Sequence, residues 1–192
     1  MEKLLCPSMM CANYGNLSEE VEKLEKAGAD IFHIDIMDGQ FVPNFGMGLQ
    51  DVEFICKKAT IPVDAHLMIE NPGSYVEKFA KMGIKIIYIH PESDVHPTRT
   101  LQSIIDAGAI PRIAINPGFA GQKYISSVDE KIKELIELKE KYGYEVMLDG
   151  ACSPERVETL SKMGVKGFIL GTSALFGKGK PYKELLDGLR AL

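Results

Sequence analysis

Long apolar runs are absent from this 192-residue chain. None approaches the ~20 residues that cross a bilayer as a helix, so no membrane partner is expected. An excess of positive charge is also lacking. The net charge of −5 argues against a general nucleic-acid or anionic-membrane surface, although local positive patches stay open. The first residues, Met1-Glu2-Lys3-Leu4-Leu5-Cys6-Pro7, carry neither the basic segment nor the long apolar stretch of a secretory signal. Cysteine is sparse: Cys6, Cys11, Cys56 and Cys152 show no C-x-x-C spacing and no dense framework, so reduced thiols in a cytoplasm are expected. There is no low-complexity stretch and no linker. Residues 1–192 therefore read as one domain, long enough for a sizeable core, and 45% apolar with 26% charged residues is ordinary for a soluble globular protein.

What the chain does have is a rhythm. Short apolar runs at Leu4–Met10, Ile31–Ile36, Val63–Ile69, Ile86–His90, Ile113–Ile115, Glu145–Leu148 and Gly167–Leu170 alternate with longer amphipathic segments. Near-continuous apolar strands imply a sheet covered on both faces, hence a parallel α/β arrangement. The first helix has Ser18-Glu19-Glu20 as cap and acidic turn, Leu17, Val21 and Leu24 as a stripe, and Gly28 as a stop. The same ending recurs at Met82-Gly83, Ala107-Gly108 and Met163-Gly164, and the intervals give a βα period of roughly 27 residues. Repeated βα units of this kind close into a TIM (β/α)8-type parallel barrel, whose active site sits at the C-terminal ends of the strands. Only seven strands are readable.

Polar groups stand at those ends. His33-Ile34-Asp35 closes one run, Asp64-Ala65-His66 lies in the next, and Leu148-Asp149-Gly150 closes a third. Spacing of i, i+2 on a strand puts both side chains of a pair on one face. A single buried histidine more often satisfies a structural bond, but the recurrence points to convergence on one divalent ion. Two imidazoles and two carboxylates suit Zn²⁺, Mn²⁺, Fe²⁺ or Co²⁺. Such an ion polarises a carbonyl, and two carboxylates on opposite faces of a carbon could remove one proton and return another. Asp38 and Asp64 compete for these roles; Asp38 reads as part of the turn Met37-Asp38-Gly39, while spacing alone does not dismiss Asp64. His90 lacks an acid at the matching spacing and reads as structural, and His96 as an exposed loop residue.

Three loops complete the picture. Asn116-Pro117-Gly118-Phe119-Ala120-Gly121-Gln122 reads either as a plain βα turn or as a flap closing over substrate. Gly150-Ala151-Cys152 and Gly171-Thr172-Ser173 follow the last two strands, where barrels hold phosphate on backbone N–H groups. Met37 and Met68 lie just past the proposed ligands, as adaptable core or as a soft wall beside a planar intermediate.

These motifs together resemble the ribulose-phosphate 3-epimerase family of metal-dependent TIM-barrel enzymes. The resemblance rests on Pro7-Ser8, His33 through Gly39, Phe41-Val42-Pro43-Asn44, His66-Leu67-Met68, Asn116-Pro117-Gly118-Phe119 and Gly121-Gln122, and runs over nearly the whole chain. It implies metal ligation by His33, Asp35, His66 and Asp149, with Asp35 and Asp149 as the acid/base pair. Ser8 and His66 would contact substrate, Gly118, Phe119, Ala120 and Gly121 would form the flap, and Gly150, Gly171, Thr172 and Ser173 would lie near the phosphate.

Ser8-Met9-Met10-Cys11, Phe119-Ala120-Gly121, Asp149-Gly150-Ala151-Cys152 and Gly171 through Phe176 lean toward the allulose-6-phosphate branch, with ribulose 5-phosphate as the alternative. The expected partner is a small-molecule sugar phosphate, and a homo-oligomer is expected. The resemblance breaks at Arg112-Ile113-Ala114-Ile115-Asn116-Pro117-Gly118. Where the family has two strands ending in similar turns, this chain has one, so about one βα unit is absent. That departure keeps a third reading open, a barrel that binds sugar phosphate without turning it over. Metal-assisted hydrolysis is a further reading, less well suited to a paired acid and base.

Overall fold

A computed structural model describes residues 3–115 and 128–192. Seven parallel strands alternate with helices in the expected order. They are β1 (Leu4–Pro7), α1 (Leu17–Lys26), β2 (Phe32–Met37), α2 (Leu49–Lys58), β3 (Val63–Met68), α3 (Val76–Met82), β4 (Ile86–Ile89) and α4 (Pro97–Asp106), followed by β5 (Ile110–Ile113), α5 (Val128–Tyr142), β6 (Met147–Leu148), α6 (Pro154–Met163), β7 (Gly167–Leu170) and α7 (Tyr182–Ala191). The fold is TIM-barrel-like, with the strands in two hydrogen-bonded groups, β6-β7-β1 and β2-β3-β4-β5. A bridge between Ser8 and His33 sets β1 beside β2. Between β5 and β6 no strand pairing closes the ring among the described residues.

Strand alternation sorts the side chains. Phe32, Ile34, Ala65, Leu67, Ile87, Ile89 and Phe168 are fully or almost fully buried in the main core, packed under helix residues such as Val21, Leu24, Val52, Ile55, Phe79 and Leu160. Each such Val, Leu, Ile or Phe side chain contributes about 1.5–3 kcal/mol by leaving water. The alternate residues face inward. Cys6, Ile31 and Ile169, with Leu4, Ile86 and Met147 against them, form a smaller apolar cluster that floors the interior. One step further along the same strands stand the polar groups. The site is thus the upper layer of an alternation whose lower layer is greasy.

Four boundaries differ from the sequence reading. β1 ends at Pro7, and the rest of that apolar run forms a 3-10 turn over Met9–Cys11 with Met9 buried. Helix α1 is capped at Asn16, with Ser18 inside its first turn. The expected strand Ile113–Ile115 starts earlier, at Ile110, because Ile110 N donates to Lys85 O and Ala114 N to Ile89 O along β4. That alternation turns Pro111, which has no N–H to give, toward the unpaired side of β5, where a missing donor costs nothing. The sixth strand is shorter than the run Glu145–Leu148, with only Met147 and Leu148 paired to β7.

Two expectations about local chemistry hold. Gly83 and Gly164 cap their helices in the left-handed region, which a side chain would strain. The four cysteines are unpaired, with Cys6 and Cys152 buried. No helix among the described residues is long and apolar enough to cross a membrane.

Candidate metal centre and active site

β2 and β3 run side by side with His33 opposite Asp64 and Asp35 opposite His66. This register makes an inward square of two imidazoles and two carboxylates from two strands. Asp149, just after β6, reaches the same point. One ligand atom from each of His33, Asp35, His66 and Asp149 lies within 4.8 Å of the others. His33 Nε2 stands 3.3 Å from Asp35 Oδ1 and 3.7 Å from Asp149 Oδ2. His66 Nδ1 stands 3.1 Å from Asp149 Oδ2 and 3.6 Å from Asp35 Oδ1. Ser8 Oγ donates to Asp35 Oδ2 at 2.7 Å, placing Ser8 beside the cluster.

The electrostatics follow from this crowding. Burial works against charge on His33, yet Asp64 and Asp35 hold its imidazole well above the usual range. Burial likewise opposes charge on His66, and Asp149 and Asp35 outweigh it. On the acidic side, burial opposes ionisation of Asp35 and Asp149, but His33 and His66 hold both carboxyls below their ordinary value. The set fits a divalent cation on its own chemistry. Its donors are nitrogen and carboxylate oxygen, and the buried Nε2 of His33, which faces Asp35 and Asp149 and lacks a hydrogen bond, sits in a polar nest that a cation would satisfy.

Three residues matter more than their sequence context suggested. Asp64 is wholly buried, with Oδ1 at 2.7 Å from His33 Nδ1; it backs the ring from behind, outside the four-residue cluster. His90 is buried, and its Nε2 lies 2.8 Å from His66 Nε2, with the two rings stacked at 5.0 Å. Burial and His66 push its imidazole down to about 4. His90 shares the inward parity of Tyr88 and stands one residue past the end of β4, a signal that periodicity alone could have supplied.

Gly46 is the third. Met47 N donates to Asp35 O at 2.9 Å and Gly46 N to Met37 O at 3.3 Å, so the loop after β2 folds back onto its C-terminal end. A Cβ on Gly46 would lie 2.4 Å from Asp35 O and 2.8 Å from Met37 N. No local motif announces so close an approach of two backbones.

The other expected site residues divide. Met37 and Met68 are register partners at the tops of β2 and β3, both half-buried. Gly150 and Gly171 follow β6 and β7, Gly150 with φ of 95°. The Gly171 carbonyl accepts from Leu175 N and Phe176 N, and Thr172 and Ser173 are exposed in the turn. Gly118, Phe119, Ala120 and Gly121 lie outside the described residues. Asp38 is a turn residue as read, accepting from Gln40 N, Phe41 N and Glu70 N. His96 is exposed in the loop before α4.

Comparison with known proteins gives the family and the fold. The model of the Ribulose-phosphate 3 epimerase family matches residues 4–117 and again 112–176. Ribulose-phosphate 3-epimerase of Aquifex aeolicus is 33% identical over 201 residues, covering 91% of this chain and 90% of the relative. That of Bacillus subtilis is 34% identical over 210 residues, covering 95% and 96%. Among solved structures, KGPDC from Streptococcus mutans matches with a TM-score of 0.72 over 100% of this chain and 97% of that one, at 12% identity, a likeness of fold alone. The chain belongs to the ribulose-phosphate 3-epimerase family, a family of isomerases.

Proposed function

We propose that this chain is a metal-dependent 3-epimerase interconverting D-ribulose 5-phosphate and D-xylulose 5-phosphate, working as a single barrel domain. The observation that carries the reading is the convergence of His33, Asp35, His66 and Asp149 within 4.8 Å. A divalent cation held by these four would polarise the substrate carbonyl and offset the negative charge of an enediolate. Asp35 and Asp149 reach that point from strands three places apart around the array. One carboxylate takes the proton from C3 and the other returns a proton to the opposite face. Ser8 holds the Asp35 carboxylate by its hydrogen bond, and Met37 and Met68 wall the planar carbon skeleton. Gly150, Gly171, Thr172 and Ser173 offer backbone N–H groups to the phosphate, as the loops after the last two barrel strands commonly do. Unpaired cysteines fit a cytoplasmic setting.

The substrate is read from the relatives. Those described above are named for ribulose phosphate, which ranks the pentulose above the allulose 6-phosphate suggested by Ala151 and its neighbouring motifs. Zinc-loaded enzyme in D₂O should incorporate deuterium at C3 of D-ribulose 5-phosphate faster than at C3 of D-allulose 6-phosphate. Faster exchange with the hexulose reverses the substrate order. Exchange with neither leaves the inactive sugar-phosphate-binding barrel as the reading, and released phosphate favours hydrolysis.

We further infer that about one βα unit is absent between β5 and β6. The alignment with the Aquifex protein runs over 201 positions but uses 91% of this chain, leaving about 26 positions without a counterpart here. The Bacillus alignment leaves about 28 in the same way. Both approach the 27-residue period. The two family matches also overlap at residues 112–117, as expected if one turn stands where two similar turns belong. Ile110 and Ile113 on β5 are 46% and 51% exposed, and an unpaired strand edge of this kind favours self-association, in keeping with a homo-oligomer.

A further inference from the structure

We propose that His90 is a positioning residue that fixes the proton of His66, so that His66 presents its Nδ1 lone pair to the metal. This rests on the metal-site reading above. His66 meets the cluster through Nδ1, 3.1 Å from Asp149 Oδ2, which leaves Nε2 as the nitrogen that must carry the proton when Nδ1 is a ligand. That Nε2 points at His90 Nε2, 2.8 Å away. Two facing ring nitrogens at this distance share one proton: one donates and the other accepts.

Glu92 decides which. His90 Nδ1 is buried without a hydrogen-bond partner, and the charge that it faces is Glu92 Oε1 at 3.6 Å. A bare nitrogen there would set its lone pair against a carboxylate, whereas Nδ1–H meets it favourably. With the proton on Nδ1, neutral His90 has only Nε2 to offer, and Nε2 accepts. His66 Nε2–H therefore donates to His90, and Nδ1 is the nitrogen left for the cation. Partners behind a ligating histidine generally set its tautomer in this way.

The His90 ring is itself held in place. Its carbonyl accepts from Ser93 Oγ at 2.9 Å and Ser93 N at 3.1 Å, and Phe41 packs against the ring at 5.0 Å. His66 stacks on the ring at an interplanar angle of 24°. Stacking and acceptance are two separable contributions. His90→Phe keeps a ring and removes the acceptor. His90→Gln removes the ring and keeps an oxygen near the place of Nε2.

The test combines ¹⁵N NMR of the histidines with Zn²⁺ affinity measured by chelator competition. In the metal-free wild-type protein, His90 Nε2 should be unprotonated and Nδ1 protonated; a proton on His90 Nε2 overturns the proposal, whatever the variants do. His90→Phe should bind Zn²⁺ about 10–100-fold more weakly, the usual cost of losing such a partner, while His90→Gln stays within a few-fold of wild type. Equal losses in both variants would assign His90 to packing and overturn the positioning role. If wild-type protein fails to bind Zn²⁺ at all, the metal-site reading falls, and the ¹⁵N pattern still decides how the His66–His90 proton is placed.

Discussion

On one flank of the strand array, β2 and β3 pair over six residues and supply His33, Asp35 and His66; on the other, β6 has two paired residues and supplies Asp149. The difference shows in the side chains. The Asp35 side chain is 11% exposed and that of Asp149 38%. Asp35 has its carboxylate tied to Ser8 and its carbonyl tied to Met47. Asp149 is held by the histidines it faces and by a short strand beside the open edge. The two acids of one proposed reaction thus stand on supports of unequal stiffness, and perturbing each support separately tests whether the site depends on the weaker one.

The largest effect should come from the acids themselves. Asp35→Asn and Asp149→Asn should each cut epimerisation by about 10²–10⁴-fold, the range for loss of a positioned proton carrier. Their effects on stability should differ. Losing the charge of Asp35, which accepts from Ser8 in a buried site, costs about 1–2 kcal/mol, whereas Asp149→Asn should unfold close to wild type. Near-normal turnover in either variant removes the two-acid assignment. Equal destabilisation would remove the contrast between flanks.

A second prediction breaks the stiff side. In Gly46→Ala the new methyl would meet the Asp35 carbonyl at 2.4 Å, and backbone cannot swing aside as a flexible side chain can. The loop or the end of β2 must shift, at a cost of about 1–3 kcal/mol. A displacement of Asp35 by an ångström is worth about 10²-fold in rate. Steady-state turnover and thermal unfolding of this variant should both fall. Unchanged turnover would mean that the loop moves alone and does not position Asp35.

Much of this arrangement was legible because strand side chains alternate. His33 with Asp35, and His66 two residues from Asp64, had to share the inward face once the runs were read as strands, and Asp149 followed from standing at the end of another run. Alternation can put Asp64 and His90 on the inward face, but it does not reveal which of them stands behind a ring. Their roles depend on the lateral register of β2, β3 and β4. Gly46 depends on a loop returning to its own strand, which no periodicity encodes. The earlier start of β5 has a different origin, since a proline such as Pro111 is acceptable within a strand only at an unpaired edge, which the sequence does not display.

The weak side can be strengthened. Inserting a helix-plus-strand segment of roughly 27 residues after Gly118 should give β5 and β6 a partner and cover Ile110 and Ile113. Burying the exposed halves of these side chains contributes about 2 kcal/mol, or roughly 4–8 °C in Tm for a domain of this size. Turnover should rise as well, because Asp149 gains a firmer strand. If the 192-residue form is already as stable and as active as the extended one, the open edge is no handicap.

The smallest expected effect lies in how pH acts on the metal-free and zinc-loaded forms. In the metal-free protein Asp64 and Asp35 overcome burial and raise the His33 pKa above its ordinary value of 6.5. A group whose folded pKa is raised adds stability that is complete below the unfolded value and disappears as pH climbs through the folded one. Asp35 acts in the opposite sense. Its lowered pKa adds stability above the ordinary carboxyl value of 3.8, lost only as pH falls toward the folded value. Metal-free protein should therefore be most stable between these limits and decline as pH rises beyond the imidazole range. Zinc reverses the trend, since ligation needs the imidazoles deprotonated and protons compete less as pH rises. The gap in Tm between zinc-loaded and chelator-treated protein should widen steadily from pH 6.5 upward. Parallel curves would mean that zinc does not displace protons from His33 and His66, and that the four side chains are not its ligands.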